Sequence, residues 1–311
     1  MIFTVTLNPA LDKTVTIPTF AVGKVNRVAG MRLDPGGKGI NVSKTIQSLG
    51  GQSVAMGILG GAAGRYIENS LDGMAIETDF VHTKASTRTN LKIIDPAQKT
   101  NTDINEAGEK ISGAAIHRVF LRLMNRVAPG DFVVLAGKAP PQTQDTLFEE
   151  WARQLKSLGA KVCMDVDGPM LLHGIKAAPD LVKPNEEEFA SLVGKRFSSL
   201  KEIALAALDL NSRGTAHVAV SLGDKGALFV KEGRALYARG LKVPVKSTVG
   251  AGDAMMAALV LTEARGGTWQ DAIRLSVAAG AAAVMCEGTE AVSGPAVQEF
   301  AKQVVMEDVQ L

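Results

Sequence analysis

The pattern of apolar and polar positions changes once along the chain, at about residue 115. Beyond it, short apolar runs typical of buried strands alternate with segments that repeat apolar residues at helical spacing. This alternation predicts a parallel sheet with helices on both faces, the α/β class of fold. The strands are predicted at residues 131–135, 161–164, 181–183 and 217–221, and the helices at 117–126, 147–158, 169–177, 186–193 and 200–210.

The first third of the chain reads differently. Residues 2–7 form an apolar strand that fits the main sheet, and residues 41–49 have helical spacing. The other strands predicted here contain many polar residues, at 14–17, 27–33, 91–94 and 101–104. We therefore predict a small sheet outside the main core. The chain has no long linker and no repeat, so residues 1–311 are predicted to form a single domain.

Composition and charge exclude several classes of function. Among 311 residues, Lys plus Arg number 34 and Asp plus Glu 32, so the net charge of +2 favours neither nucleic acid nor a membrane surface as partner. Cys163 and Cys286 have no zinc spacing and are predicted to be buried thiols in a reducing compartment. No apolar run reaches the roughly 20 residues of a membrane span, and the N-terminus reads as a first strand, not a leader. We expect a cytoplasmic protein.

The segment Ser247–Ala254, STVGAGDA, is the most informative stretch. A strand is predicted before it at 242–246 and a helix after it at 254–265. Gly250 and Gly252 let backbone N–H groups converge at a helix N-terminus, which suits an anion. A carboxylate at Asp253 beside that anion suits phosphoryl transfer. The alternative is that Asp253 only caps the helix. A dinucleotide fingerprint is excluded because its third glycine would fall at Met255.

Three further segments are weaker signals one by one. The loop 36–41, GGKGIN, combines glycines that permit close approach of a ligand with the donors Lys38 and Asn41, or it is a solvated turn. The segment 183–188, KPNEEE, either orients a metal-bound triphosphate or complements a helix dipole. The segment 221–226, SLGDKG, either lines a nucleotide or is a hairpin turn. Arg88 suits a phosphate group, or belongs to a solvated strand face.

Taken together and in order, five motifs resemble those of the PfkB (ribokinase-like) carbohydrate kinases over about residues 2–303. They are TLNPALD at 6–12, GGKGINV at 36–42, KPNxxE at 183–188, SLG at 221–223 and VGAGD at 249–253. The first of them marks the phosphosugar branch of the family. The resemblance implies a ribokinase-like αβα sandwich with a mostly parallel central sheet, and a small β-sheet lid whose strands lie at about 12–35 and 86–106.

The resemblance also implies an activity. The γ-phosphoryl group of ATP, with Mg²⁺, would pass to a hydroxyl of a phosphosugar. RTN at 88–90 with TDINE at 102–106 points to fructose 1-phosphate, giving fructose 1,6-bisphosphate. Tagatose 6-phosphate and fructose 6-phosphate are alternative substrates, and a sugar-phosphate-binding regulator without catalysis is an alternative of another class. Pairing of lid strands between subunits would give a homodimer.

Roles are implied residue by residue. Asp253 would be the base, with the amides of Gly250, Ala251 and Gly252 as the anion hole. Sugar hydroxyls would contact Asp12, Gly37, Asn41 and Asn105, and the substrate phosphate would contact Lys38 and Arg88, helped by Lys24 or Arg27. ATP would be held by Lys183, Asn185, Glu188, Ser221, Gly223 and Ser247, and Mg²⁺ by Glu188 and Asp165 through water.

Five positions depart from the family pattern. Ala136, Lys138 and Asp167 stand where relatives often have Ser. Cys286 replaces a frequent Asn near the adenine. Ser247 stands where ribokinases carry an Asp linked to a monovalent cation, which puts a potassium requirement in doubt. None of these changes removes the expected base or the anion hole.

Overall fold

A computed structural model describes residues 1–311. The strands are β1 (Ile2–Thr6), β2 (Ala10–Thr16), β3 (Gly30–Gly36), β4 (Val54–Gly60), β5 (Glu77–Thr83), β6 (Arg88–Asp95), β7 (Thr100–Asn105), β8 (Phe132–Ala136), β9 (Lys161–Asp165), β10 (Leu181–Val182), β11 (His217–Ser221), β12 (Gly226–Lys231), β13 (Arg234–Arg239) and β14 (Met306–Asp308). The helices are α1 (Lys38–Ser48), α2 (Gly61–Gly73), α3 (Gly113–Arg126), α4 (Leu147–Ser157), α5 (Pro169–Gly174), α6 (Glu186–Val193), α7 (Leu200–Ser212), α8 (Ala251–Ala264), α9 (Trp269–Val284) and α10 (Gly294–Ala301).

Ten strands form the main sheet, in the order β14-β13-β12-β11-β10-β9-β8-β1-β4-β5. The seven strands from β11 to β5 run parallel, and β12, β13 and β14 continue one edge in antiparallel fashion. Parallel strands need crossover connections, and helices supply them here. The mostly parallel αβα arrangement predicted from the sequence is confirmed.

Side-chain alternation along the strands builds a core on each face of the main sheet. In β8, Val133 and Leu135 pack with α3, α4 and α7, whereas Val134 and Ala136 pack with α1, α8 and α9. A strand can supply both layers because successive side chains point to opposite faces. Strands covered on both faces read as continuous apolar runs, which is why this half of the chain was predictable.

The small sheet predicted from the polar early strands is present, in the order β3-β2-β6-β7. It is mixed, since β2 is antiparallel to β3 but parallel to β6. Its register places Asp34, Asp12, Asn90 and Asn105 in one row across the four strands. Directly paired residues lie on the same face of a sheet, so this row presents one polar surface.

Several sequence-based expectations are corrected. The strand predicted at 242–246 is an irregular segment, because Pro244 has no N–H for a ladder and Val245 is exposed. The helix after it begins at Ala251, three residues earlier than predicted. Cys163 is buried but Cys286 is only partly so. None of the ten helices has both the length and the apolar character required to cross a bilayer.

Candidate active site

One cavity of about 1290 Å³ lies between the carboxyl ends of the parallel strands and the polar row of the small sheet. Gly137, Asp165, Lys183 and Ser221 stand at or just after the ends of β8 to β11 and all line it. This is the edge at which open α/β sheets bind ligands. The predicted site residues that line the cavity are Asp12, Gly37, Lys38, Asn41, Arg88, Asn105, Asp165, Lys183, Asn185, Glu188, Ser221, Gly223, Gly250, Ala251, Gly252 and Asp253.

Asp253 lies at the floor of this cavity and does not cap a helix. The N-cap of α8 is Gly250, and no side chain caps this helix. The Asp253 carboxylate is 7% exposed, and its Oδ2 accepts a 2.8 Å hydrogen bond from Asn41 Nδ2. Burial, reinforced by the charge of Asp165, raises the pKa of Asp253 to about 6, against the pull of Lys38 and Asn41. The group is therefore ionised at neutral pH and is a stronger base than an ordinary carboxylate.

The backbone before Asp253 forms a turn whose geometry suits an anion. Gly250 has φ 85°, a left-handed conformation that other residues adopt only with strain. The amides of Ala251 and Gly252 open α8, where the helix dipole is positive. A Cβ on Gly252 would come within 2.9 Å of Lys183 Nζ. The missing side chain therefore lets an ammonium stand against the turn and add to its positive potential.

Three carboxylates surround the Lys38 ammonium, and one of them also contacts Lys183. Lys38 Nζ lies 3.0 Å from Asp165 Oδ1, 2.6 Å from Asp167 Oδ1 and 3.8 Å from Glu188 Oε1. Lys183 Nζ lies 3.1 Å from Asp165 Oδ2. Although burial opposes it, the two ammonium groups hold the pKa of Asp165 below its ordinary value. Lys38, expected at the substrate phosphate, thus stands among the residues expected to hold ATP.

Asn185 and Glu188 stand together at the start of α6. They form a capping box at α6, in which Asn185 Oδ1 accepts from the Glu188 N–H and Glu188 Oε2 accepts from the Asn185 N–H, each at 2.8 Å. The box leaves Glu188 Oε1 facing Lys38. The capping interaction therefore orients a carboxylate into the cavity.

The donor set on this side suits magnesium held partly by water. The carboxylates of Asp165, Asp167 and Glu188 outnumber the ammonium groups of Lys38 and Lys183. A carboxylate offers oxygen ligands, which Mg²⁺ prefers. No group of three or more His, Cys, Asp or Glu side chains is arranged to bind a metal ion unaided. A metal that keeps several waters and shares phosphate oxygens fits both observations.

The small sheet supplies the opposite wall. Asp12 Oδ1 accepts a 2.9 Å hydrogen bond from Asn90 Nδ2, its partner in register, and burial raises the pKa of Asp12. The Arg88 guanidinium donates to the carbonyl oxygens of Asn8 and Glu106 at the rim. Lys92 also lines the wall. This end of the cavity combines hydrogen-bonding groups with two cations.

Three predicted residues lie outside the cavity lining. Lys24 and Arg27 are exposed on the connection between β2 and β3. Ser247 is buried behind the wall, where its Oγ lies 3.3 Å from Lys92 Nζ. The departure Cys286 is also outside the lining, whereas Lys138 and Asp167 are part of it.

Sequence reasoning missed an apolar part of the cavity and one buried lysine. Small and apolar residues of α9 line one end of the cavity, at Val277, Gly280, Ala281 and Val284. Their spacing follows one helix face, which was the available signal. Lys44, on α1 behind Asn41, is 3% exposed, and its Nζ donates to oxygens of Pro35, Asn41 and Thr289. A lysine within an ordinary amphipathic helix carries no local sign of such burial.

Comparisons with known proteins agree with this geometry. Residues 5–295 match the model of the pfkB family of carbohydrate kinases. The 1-phosphofructokinase of Rhodobacter capsulatus is 37% identical, with 89% of this chain and 88% of that protein aligned. For the 1-phosphofructokinase of Bacillus subtilis (strain 168), the identity is 35% and the coverage 99% and 98%.

A solved structure has the same fold. Phosphofructokinase-2 from Escherichia coli, in complex with substrates and products, superimposes with a TM-score of 0.91 at 28% identity, covering 97% of this chain and 98% of that one. The resemblance to the pfkB kinases and the expected fold are thereby confirmed. ATP is the cosubstrate that the family implies. This chain belongs to the pfkB family of carbohydrate kinases.

Proposed function

We propose that the protein transfers the γ-phosphoryl group of ATP to the free primary hydroxyl of fructose 1-phosphate, forming fructose 1,6-bisphosphate and ADP. The observation that carries the proposal is the buried, ionised Asp253 beside the N-terminal amides of α8. Arg88 and Lys92 lie on one side of it in the cavity, and the cluster of Lys38 and Asp165 on the other. Relatives that are 37% and 35% identical and are named 1-phosphofructokinase support this sugar phosphate as the substrate.

Asp253 acts as the base in this scheme. Its Oδ2 is engaged by Asn41, so Oδ1 is the atom that takes the proton from the attacking hydroxyl. The hydroxyl oxygen then forms its bond to phosphorus as the bond to the ADP oxygen breaks. Negative charge on the moving phosphoryl group is stabilised by the amides of Ala251 and Gly252 and by the Lys183 ammonium, all of them fixed before the reaction.

The sugar phosphate binds against the small sheet. Arg88 and Lys92 hold its phosphate, and Asp12 with Asn90 and Asn105 hold the hydroxyls. Arg88 suits this role because a guanidinium offers two parallel N–H donors to a phosphate. Lys38 serves the transferred phosphoryl group rather than the phosphate already on the sugar, since its Nζ lies 3.0 Å from Asp165 on the opposite side.

ATP binds at the other end. The α9 surface at Val277, Gly280, Ala281 and Val284 accepts the adenine, and Ser221 and Gly223 line the path of the phosphates. Asp165 and Glu188 would hold Mg²⁺ through water. When bound, the metal would neutralise charge on the phosphate oxygens.

Turnover should fall in acid. Only ionised Asp253 can accept a proton, and its pKa is about 6. The kcat/KM should therefore be level just above pH 7 and drop about tenfold per unit below pH 6, because kcat/KM reports the titrating groups of the free enzyme. The substrate phosphates titrate in the same range, so their pKa values are measured separately and allowed for. An acid limb centred near pH 4, in protein that stays folded, would contradict the assignment.

Adding a methyl group at Gly252 should damage catalysis without unfolding the protein. The new Cβ would push Lys183 Nζ from its place 2.9 Å away. We expect Gly252→Ala to lower kcat about 10- to 100-fold, less than the roughly 100- to 1000-fold that complete loss of one transition-state donor causes, because Lys183 is displaced and not removed. Gly113→Ala is the matched control, because it also opens a helix and its Cβ would meet nothing within 4 Å. Equal kcat values for the two variants would show that the position of Lys183 is unimportant.

We also propose a homodimer formed through the small sheet. All six residues of β7 are exposed, and the sheet carries the exposed side chains of Met31 and Ile104. An exposed strand edge is a ready surface for pairing with a second copy. Sedimentation should give twice the monomer mass, and Ile104→Lys should shift the species toward monomer. A monomer at all concentrations would contradict the proposal.

Product analysis tests the proposed reaction. The protein with ATP, Mg²⁺ and fructose 1-phosphate should form fructose 1,6-bisphosphate and ADP in equal amounts. ADP formed without bisphosphate would mean hydrolysis instead of transfer. Binding of fructose 1-phosphate with no ADP formed would favour the regulator.

A further inference from the structure

Lys44 is a buried cation that the mechanism above does not use. It lies on α1, one helical turn after Asn41. Its Nζ donates to Pro35 O at 3.0 Å, to Asn41 Oδ1 at 3.3 Å and to Thr289 O. All three partners are neutral oxygens, so the ammonium is held by hydrogen bonds and not by a direct ion pair.

The donor chemistry of Lys44 determines which way the Asn41 amide faces. An ammonium group has hydrogens to give and no lone pair to offer. The Asn41 oxygen must therefore face Lys44, which leaves the Asn41 NH₂ facing Asp253 Oδ2 at 2.8 Å. With the amide reversed, two oxygens would oppose each other at Asp253, and the carboxylate would lose its donor.

The same ammonium joins three parts of the site. Pro35 lies at the end of β3, and Thr289 follows α9 and contacts Asp12 through its Oγ1 at 3.4 Å. The carboxylates of Asp34, Asp12 and Asp253 favour the charge on Lys44, whereas Arg32 opposes it. Burial nonetheless lowers the pKa of Lys44 to about 8, so it is still charged at neutral pH.

We propose that Lys44 is a positioning residue for the base: through the Asn41 amide it holds the Asp253 carboxylate with Oδ2 engaged and Oδ1 free. This inference rests on the proposed function in one respect, that Asp253 is the base. It assigns no substrate contact to Lys44, which does not line the large cavity.

Replacement of Lys44 by methionine keeps the length of the side chain and removes its donors. We expect Lys44→Met to lower kcat at least tenfold while each KM changes less than about threefold. The acid limb of kcat/KM should move to higher pH, because the Asn41 donor lowers the pKa of Asp253 and the Lys44 charge interacts with the same carboxylate. Asp165, Lys38 and Lys183, which also act on Asp253, are unchanged in this variant. Lys44→Arg should restore most of kcat. If the methionine variant does not fold, Lys44→Gln is measured instead and should lower kcat at least fivefold.

Two comparisons separate positioning from a merely structural role. In an Asn41→Ala background, Lys44→Met should have little further effect on kcat, because residues that act through one another are not additive. Lys156→Met is the matched control. Lys156 also donates to a backbone carbonyl, that of Ala178, but far from the cavity, and kcat should be unchanged.

The outcomes distinguish this inference from the proposed function. Wild-type kcat and an unmoved acid limb in Lys44→Met would overturn the inference, as would full additivity with Asn41→Ala. Asp253→Asn is measured alongside, on whichever sugar phosphate is turned over best. If Asp253→Asn is inactive and Lys44→Met is normal, only the positioning role fails. If Asp253→Asn remains active, the assignment of the base itself fails.

Discussion

Asp253→Asn is expected to reduce kcat by about 1000-fold, within the range that general-base catalysis supplies. The substitution keeps the shape of the side chain and an oxygen that can accept the Asn41 hydrogen bond. It removes only the capacity to take a proton. ADP and the sugar phosphate should therefore bind with affinities within about threefold of wild type.

The stability of the same variant provides an independent check. Folding raises the pKa of Asp253 from 3.8 to about 6. The folded state thus binds the proton more tightly, so this group costs stability above pH 6, and the cost disappears as the pH falls below about 4. Asn carries no charge, so the variant should unfold at a temperature no lower than wild type at pH 7.5. Asp209→Asn, on the exposed face of α7, is the control and should leave kcat unchanged. Wild-type turnover in Asp253→Asn would refute the base assignment.

Arg88→Ala is expected to raise KM for the sugar phosphate about 100-fold and to change kcat and the KM for ATP only slightly. A hydrogen bond to a charged group contributes about 1.5–3 kcal/mol, and a bidentate pair has two of them. The KM for ATP should stay unchanged, because the residues proposed to hold ATP lie at the other end of the cavity: Lys183, Asn185 and Glu188.

Controls for Arg88 have to separate binding from local structure, since its guanidinium also donates to Asn8 O and Glu106 O. Arg88→Lys keeps the charge and loses the planar fork, so its KM should fall between those of wild type and Arg88→Ala. Arg122→Ala removes an arginine that pairs with Asp79 away from the cavity and should leave KM unchanged. A raised KM for ATP in Arg88→Ala would mean that ATP, and not the sugar phosphate, binds at the Arg88 end of the cavity.

The sequence predicted those elements whose signals are local. Helix 186–193 and strand 217–221 were predicted to the residue, because a capping pair opens the helix and an unbroken apolar run makes the strand. The prediction of a strand at 242–246 was wrong, because it gave the apolar pattern more weight than Pro244, which has no N–H to donate to a neighbouring strand. The stretch containing β4, α2 and β5 was not predicted at all. Its glycines at 57, 60 and 61 interrupt any simple period.

Most of the site was predictable for a topological reason. Loops that follow parallel strands meet at one edge of a sheet, so residues distant in sequence, such as Asp165 and Asp253, come together once the strand order is right. Contacts that depend on three-dimensional packing could not be predicted from the sequence. The direction of Lys38 depends on three carboxylates from other segments. The burial of Lys44 depends on its contacts with Pro35 and Thr289, and Lys24 and Arg27 lie on an exposed connection.

The most direct test of the central claim is the kcat/KM with ATP and Mg²⁺ for four acceptors: fructose 1-phosphate, fructose 6-phosphate, tagatose 6-phosphate and free fructose. The account predicts the highest value for fructose 1-phosphate, by tenfold or more, which corresponds to at least about 1.4 kcal/mol of transition-state discrimination. A higher kcat/KM for either 6-phosphate would contradict the proposed substrate. Free fructose as the best acceptor would also contradict the phosphate-binding role of Arg88 and Lys92.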